Sequence, residues 1–98
     1  MDFEIYELCP TDGRRSFYGK AKVFRHTDGA ATLRSYDTNV MRRDADGSLH
    51  RLWSGWSATT GRHVKAFCGL DKKAWDKMPV ENDDFLTRLV IDRARMEA

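Results

Sequence analysis

Residues 53–63 read WSGWSATTGRH and set hydroxyls, a guanidinium and an imidazole among two tryptophans and two glycines. Three kinds of chemistry can use such a set. Small residues ahead of a helix expose free backbone N–H groups, which Ser57 and Thr59 could supplement with hydroxyls and Arg62 with a cation, forming an anion cradle. The order is not G-x-x-x-x-G-K-[ST], and no G-x-G-x-x-G is present, so a nucleotide-loop signature is lacking. Alternatively, His63 could activate Ser57, Thr59 or Cys68, but no supporting carboxylate or oxyanion hole can be placed. The third use is structural. Gly55 permits a tight strand-to-helix corner, Trp53 and Trp56 plug the core beside it, and Ser57 with Thr60 satisfies the first helical amides. This last reading accounts for every residue type and is the expected main role. Ser57 and Thr59 stand as the candidate anion-binding pair, and no catalytic residue is assigned.

Metal chemistry has less to work with. His26, His50 and His63 with Cys9 and Cys68 form no C-x-x-C or H-x-x-x-H pair, and Asp44-x-Asp46 lacks the later glutamate of a calcium loop. No metal and no cofactor is expected. A lone histidine on a strand reads as a polar surface group, and two cysteines in a chain without a secretory leader read as reduced thiols.

The elements that must position the corner are legible from turn and period signals. FEIYEL (3–8) reads as a strand closed by Cys9-Pro10 and Thr11-Asp12-Gly13, while 14–19 is ambiguous. Two Asp-Gly turns, at Asp28-Gly29 and Asp46-Gly47, predict hairpins joining 20–26 to 31–36 and 38–43 to 48–53. With two-residue loops, Phe24 pairs with Leu33 and Val23 with Arg34, and Met41 pairs with Leu52 and Val40 with Trp53. Arg25, Arg34 and Tyr36 then share one face, and Arg42 lies opposite Arg51 beside Val40 and Trp53. After Ser57 as N-cap, Thr60, Val64, Phe67 and Cys68 fall on one helical side, with Arg62 and Lys65 away from it. Gly69 ends that helix, Asp71 caps a short one anchored by Trp75, and Pro79 breaks it. Asn82 or Asp83 caps a final helix whose apolar stripe is Phe85, Leu86, Leu89, Val90 and Met96. The expected fold is α+β, an antiparallel sheet of four or five strands packed by two or three C-terminal helices, with all 98 residues in a single domain.

Charge narrows the partners. Residues 1–13 hold four acids and no base, 14–65 hold eleven bases against four acids, and the rest hold six against seven. The basic middle, carrying Arg25, Arg34, Arg42, Arg43, Arg51, Arg62 and Lys65 with Tyr36, points to an anionic partner, either an acidic protein face or nucleic acid. No apolar run is long enough to span a membrane, and the acidic N-terminus is unlike a signal peptide, so a cytoplasmic location is expected.

At SFYGKAKV (16–23), LRSYDTNVM (33–41) and WSGWSATTGRHVKAF (53–67) the chain resembles a family of small uncharacterised proteins carried by phages, plasmids and other mobile elements of bacteria. The resemblance runs over about residues 5–78 and is most specific at the W-S-G-W-S-A-T-T corner. It implies a bacterial host cytoplasm and a short accessory protein, and it carries over no catalytic residue. Together with the small size and the basic segment, it leads to the expectation of a non-enzymatic protein that binds a host protein stoichiometrically, as an inhibitor of an anti-phage defence nuclease complex of the CRISPR kind. The alternative is nucleic-acid binding by the basic sheet face, with Tyr36 or Trp53 stacking on bases.

Overall fold

The computed structural model describes residues 4–9, 19–82 and 85–97. Five strands, β1 (Glu4–Glu7), β2 (Ala21–Arg25), β3 (Ala31–Ser35), β4 (Thr38–Arg43) and β5 (Leu49–Arg51), form one antiparallel sheet in sequence order. Helices α1 (Ala58–Cys68), α2 (Lys72–Asp76) and α3 (Phe85–Glu97) follow, so the fold is α+β with the helices C-terminal to the sheet. The expected turn at 10–13 and the ambiguous stretch 14–18 lie outside the described residues.

Both Asp-Gly turns are present, but each hairpin is one residue out of the expected register. His26 N–H donates to Ala30 and Asp44 N–H to Ser48, at 2.8 Å in each case, so the loops are the three-residue Thr27-Asp28-Gly29 and Ala45-Asp46-Gly47. In each, glycine takes the left-handed position, with φ 91° at Gly29 and Gly47. The aspartates hold the turns from inside, Asp28 accepting from Ala30 N–H and Asp46 from Ser48 N–H at 2.9 Å. The resulting pairs are Val23 with Leu33, Phe24 with Thr32, Met41 with Arg51 and Arg42 with His50. Arg42 and Arg51 therefore do not oppose each other. A third turn, Tyr36-Asp37, joins β3 to β4 and removes Tyr36 from the strand where it was expected. Val40 is the extra residue of a bulge, since Leu33 pairs with Met41 and Arg34 with Asn39, which lets Val40 and Met41 both enter the core.

The sheet's two sides are used differently. Val23, Ala31, Leu33, Val40 and Met41 pack against Val64 and Phe67 of α1 and against Trp75 of α2. The corner and its caps follow expectation: Thr60 N–H donates to Ser57 Oγ at 3.0 Å, Ala74 N–H to Asp71 Oδ1 at 2.8 Å, and Gly69 closes α1 in the left-handed region. By strand alternation Lys22, Phe24, Thr32, Arg34, Arg42 and His50 face the other way. At one end of that side α3 packs on the sheet, its Phe85 meeting Phe24 edge-on at 4.8 Å between ring centroids. The expected apolar stripe of α3 is buried only in part, at Phe85 and partly at Leu89. Leu86 and Val90 are 76% and 70% exposed, whereas Asp92 is buried, because polar contacts to the first hairpin's turn set the helix's rotation.

Candidate functional site

The basic sheet face expected from the sequence does not form, because the one-residue shift distributes its arginines over both sides. Arg51 pairs with Met41 on the helix side and is buried. Its guanidinium donates to the carbonyls of Trp53 (2.9 Å), Ser54 (2.8 Å), Trp75 (3.0 Å) and Met78 (3.2 Å), and it stacks over the Trp75 ring. It ties the corner to the end of α2 and presents nothing to a partner. Arg43 donates to the Phe67 carbonyl at 3.1 Å and covers that ring. Arg25, on the edge of the same side, pairs with Glu4 at 3.3 Å. Arg42, on the opposite side, donates to Asp44 Oδ1 at 2.9 Å.

Two clusters with relay-like geometry are structural clamps. Asp92 Oδ2 lies 2.7 Å from His26 Nδ1, and His26 Nε2 lies 2.8 Å from Thr32 Oγ1, in the acid–base–hydroxyl order of a nucleophilic triad. All three are buried to within 3% of full burial, so no substrate reaches Thr32. His26, expected as a surface group, is a buried hub. Asp92 also accepts from Thr27 N–H and Oγ1; burial alone would raise its pKa, but these bonds and the one from His26 hold it below the ordinary carboxylate value. In the second cluster His50 lies between Glu81 (2.8 Å) and Asp44 (2.7 Å), and the Glu81 hydrogen bond, helped by Asp44 against partial burial, pushes its pKa up. Among the described residues no three His, Cys, Asp or Glu side chains gather as a metal site.

At the corner, both glycines lie beneath tryptophan rings. A Cβ at Gly55 would stand 2.4 Å from the Trp53 ring, and one at Gly61 would stand 2.3 Å from the Trp56 ring. Ser57 spends its oxygen on the helix cap. His63 is buried and lies 2.7 Å from Ser35 Oγ, which in turn meets Thr60 Oγ1 at 3.1 Å, while Ser57 Oγ accepts from Thr60 N–H. Burial, and secondarily Arg62, lowers the His63 pKa and keeps the ring neutral.

Two grooves bring cations together beside aromatic rings. The first, of about 260 Å³, has an apolar floor of Trp56, Gly61 and Leu70 and a rim of Arg62, Lys65 and Lys72. Its one acid, Asp71, is engaged as the α2 cap. The second, of about 400 Å³, lies on the sheet side opposite α1, between Lys20, Lys22, Arg34 and Tyr36, with Phe24 and Ile5 in its lining. Tyr36 is half exposed, carries Lys20 Nζ 5.5 Å from its ring centre, and has φ 55°, left-handed for a bulky residue. Thus Arg62 and Lys65 fall in one groove and Arg34 and Tyr36 in the other. Lys20, Lys22 and Lys72 were missed as partners for them, although the alternation K-A-K-V-F at 20–24 places Lys20, Lys22 and Phe24 on one side.

Residues 6–84 match a family described as a family of unknown function, DUF8033. None of the curated proteins and none of the solved structures matches the chain.

Proposed function

We propose, for a chain that belongs to the DUF8033 family, a non-enzymatic role: stoichiometric binding of a host protein through the groove floored by Trp56. The observation that carries this reading is an apolar, aromatic floor enclosed by Arg62, Lys65 and Lys72. A tryptophan and an arginine beside an apolar patch are the residue types that anchor protein interfaces, and a cationic rim selects an acidic partner and speeds its capture. The partner's matching surface is an acidic segment bearing an apolar side chain. The mobile-element resemblance of the sequence directs the search to bacterial cytoplasm and to defence nuclease complexes, where occupying a surface is enough to inhibit.

The test is capture from nuclease-treated bacterial lysate with the tagged chain, alongside a variant carrying Arg62→Glu and Lys65→Glu. One protein retained by the native chain and lost by the variant, then bound one-to-one after purification, is the expected result. Retention of that protein by the variant, or recovery of bulk nucleic acid alone, overturns it.

A further inference from the structure

The geometry points to a second binding site, on the opposite side of the sheet, that takes single-stranded nucleic acid one nucleotide at a time in the groove beside Tyr36. This goes beyond the protein-binding reading and uses none of its residues. The groove of about 400 Å³ is within the range of pockets that hold nucleotide-sized ligands. It combines the two features such a ligand demands. The half-exposed Tyr36 ring, with Lys20 Nζ over it at 5.5 Å, offers an aromatic surface on which a base can stack once Lys20 turns to the phosphate, and Phe24 and Ile5 add apolar lining beside it. Lys20, Lys22 and Arg34 supply cations at the groove for the phosphate.

The backbone at Tyr36 supports a role in binding. With φ 55°, this turn position suits glycine, and an aromatic residue there adds strain, so its ring is kept at a cost to the fold. The ring is not needed as core: it stands 50% exposed at the end of the sheet. Two carboxylates temper the site. Asp37 lies 3.8 Å from Arg34, and Glu7 approaches Gly19 at the groove's end, so among the described residues three cations face two anions. A duplex, which offers phosphates with its bases stacked inside, would gain little here. A single strand gains the stacking contact, so stacking and not charge dominates, and the salt dependence is shallow.

The experiment uses the full chain and fluorescent dodecamers of deoxythymidine and of uridine, a duplex of equal length, and thymidine monophosphate as competitor. Expected is binding of the single strands in preference to duplex, with a log–log salt slope no steeper than about −2, from about 0.7 per phosphate for three cations. Tyr36→Gly relieves the strained backbone while removing the ring, so the fold stays intact and affinity falls about tenfold or more; Tyr36→Phe keeps both. Arg62→Glu with Lys65→Glu leaves this binding unchanged. The site is overturned if low salt brings no binding, if Tyr36→Gly binds like the native chain, or if duplex binds as well as single strand. Equal competition by the mononucleotide at equal concentration would overturn the strand in favour of a small ligand.

Discussion

Asp92 and His26, sixty-six residues apart in sequence, meet at 2.7 Å with both side chains out of solvent, and this contact docks α3 onto the first hairpin. Thr27 donates twice to the same carboxylate, and Arg88 pairs with Asp28 one turn earlier on the helix. The clamp is polar where an apolar stripe would ordinarily do the work. Its removal is therefore costly, because a buried partner is left unpaired.

Asp92→Ala is expected to cost about 2–3 kcal/mol, in the range for removing a buried carboxylate and leaving its hydrogen-bond donors unsatisfied. The loss should be local: amides of α3 lose protection from hydrogen exchange while those of β3 and β4 keep it. Unchanged α3 protection would show that Phe85 alone suffices. The acidic branch follows from the depressed Asp92 pKa. Its stabilisation is complete above the unfolded carboxylate value of about 3.9 and is lost as pH falls through the lower folded value.

His50 makes the opposite prediction at alkaline pH. Both ring nitrogens face carboxylates, so the imidazolium is the bonded form and the folded pKa lies above the unfolded value of about 6.5. The stabilisation is fully present below 6.5 and disappears as pH rises through the raised folded value. With the cluster partly exposed, it is worth about 1 kcal/mol or less. Thermal melts from pH 6 to 9 should show a decline that His50→Gln abolishes; a decline of equal size in that variant would place its source elsewhere.

How much of this was legible depended on how far each contact reaches. Ser57, Gly69 and Asp71 were readable because a cap involves only three or four successive residues. The Asp-Gly pairs located both hairpins but not their register, since the dipeptide serves two- and three-residue loops alike and only the closing pairs His26–Ala30 and Asp44–Ser48 decide. That single residue moved Arg51 from an imagined surface to the interior. Nothing local marks Arg51 as buried; the four carbonyls it binds come from the corner, from α2 and from Met78 just after it, up to 27 residues away. The orientation of α3 was hidden for the same reason, its anchor being a carboxylate whose partner lies in a distant turn.

Gly61→Ala tests the corner. In an ordinary helix interior the change would stabilise by about 1 kcal/mol. Here the new Cβ would meet the Trp56 ring at 2.3 Å, so the expected sign is reversed, with a loss of about 1–2 kcal/mol from overpacking. Tryptophan fluorescence should shift as the ring is lifted from the α1 surface, and the floor of the Arg62 groove should be disturbed with it. A stabilised variant with unaltered fluorescence would mean that the ring yields freely and that Gly61 is there for another reason.

Tyr36 gives a prediction in which stability and binding move apart. Tyr36→Gly should raise stability by about 1 kcal/mol, since the left-handed backbone costs an ordinary residue about that much and glycine almost nothing. The gain is reduced by glycine's larger unfolded-state entropy and by loss of the contact with His63, whose ring centre lies 6.0 Å away, so a neutral result is the lower bound. Denaturant titration measures it. If the variant is instead destabilised by 1 kcal/mol or more, the ring serves packing over His63, and its exposed face loses the physical reason for being read as a binding surface.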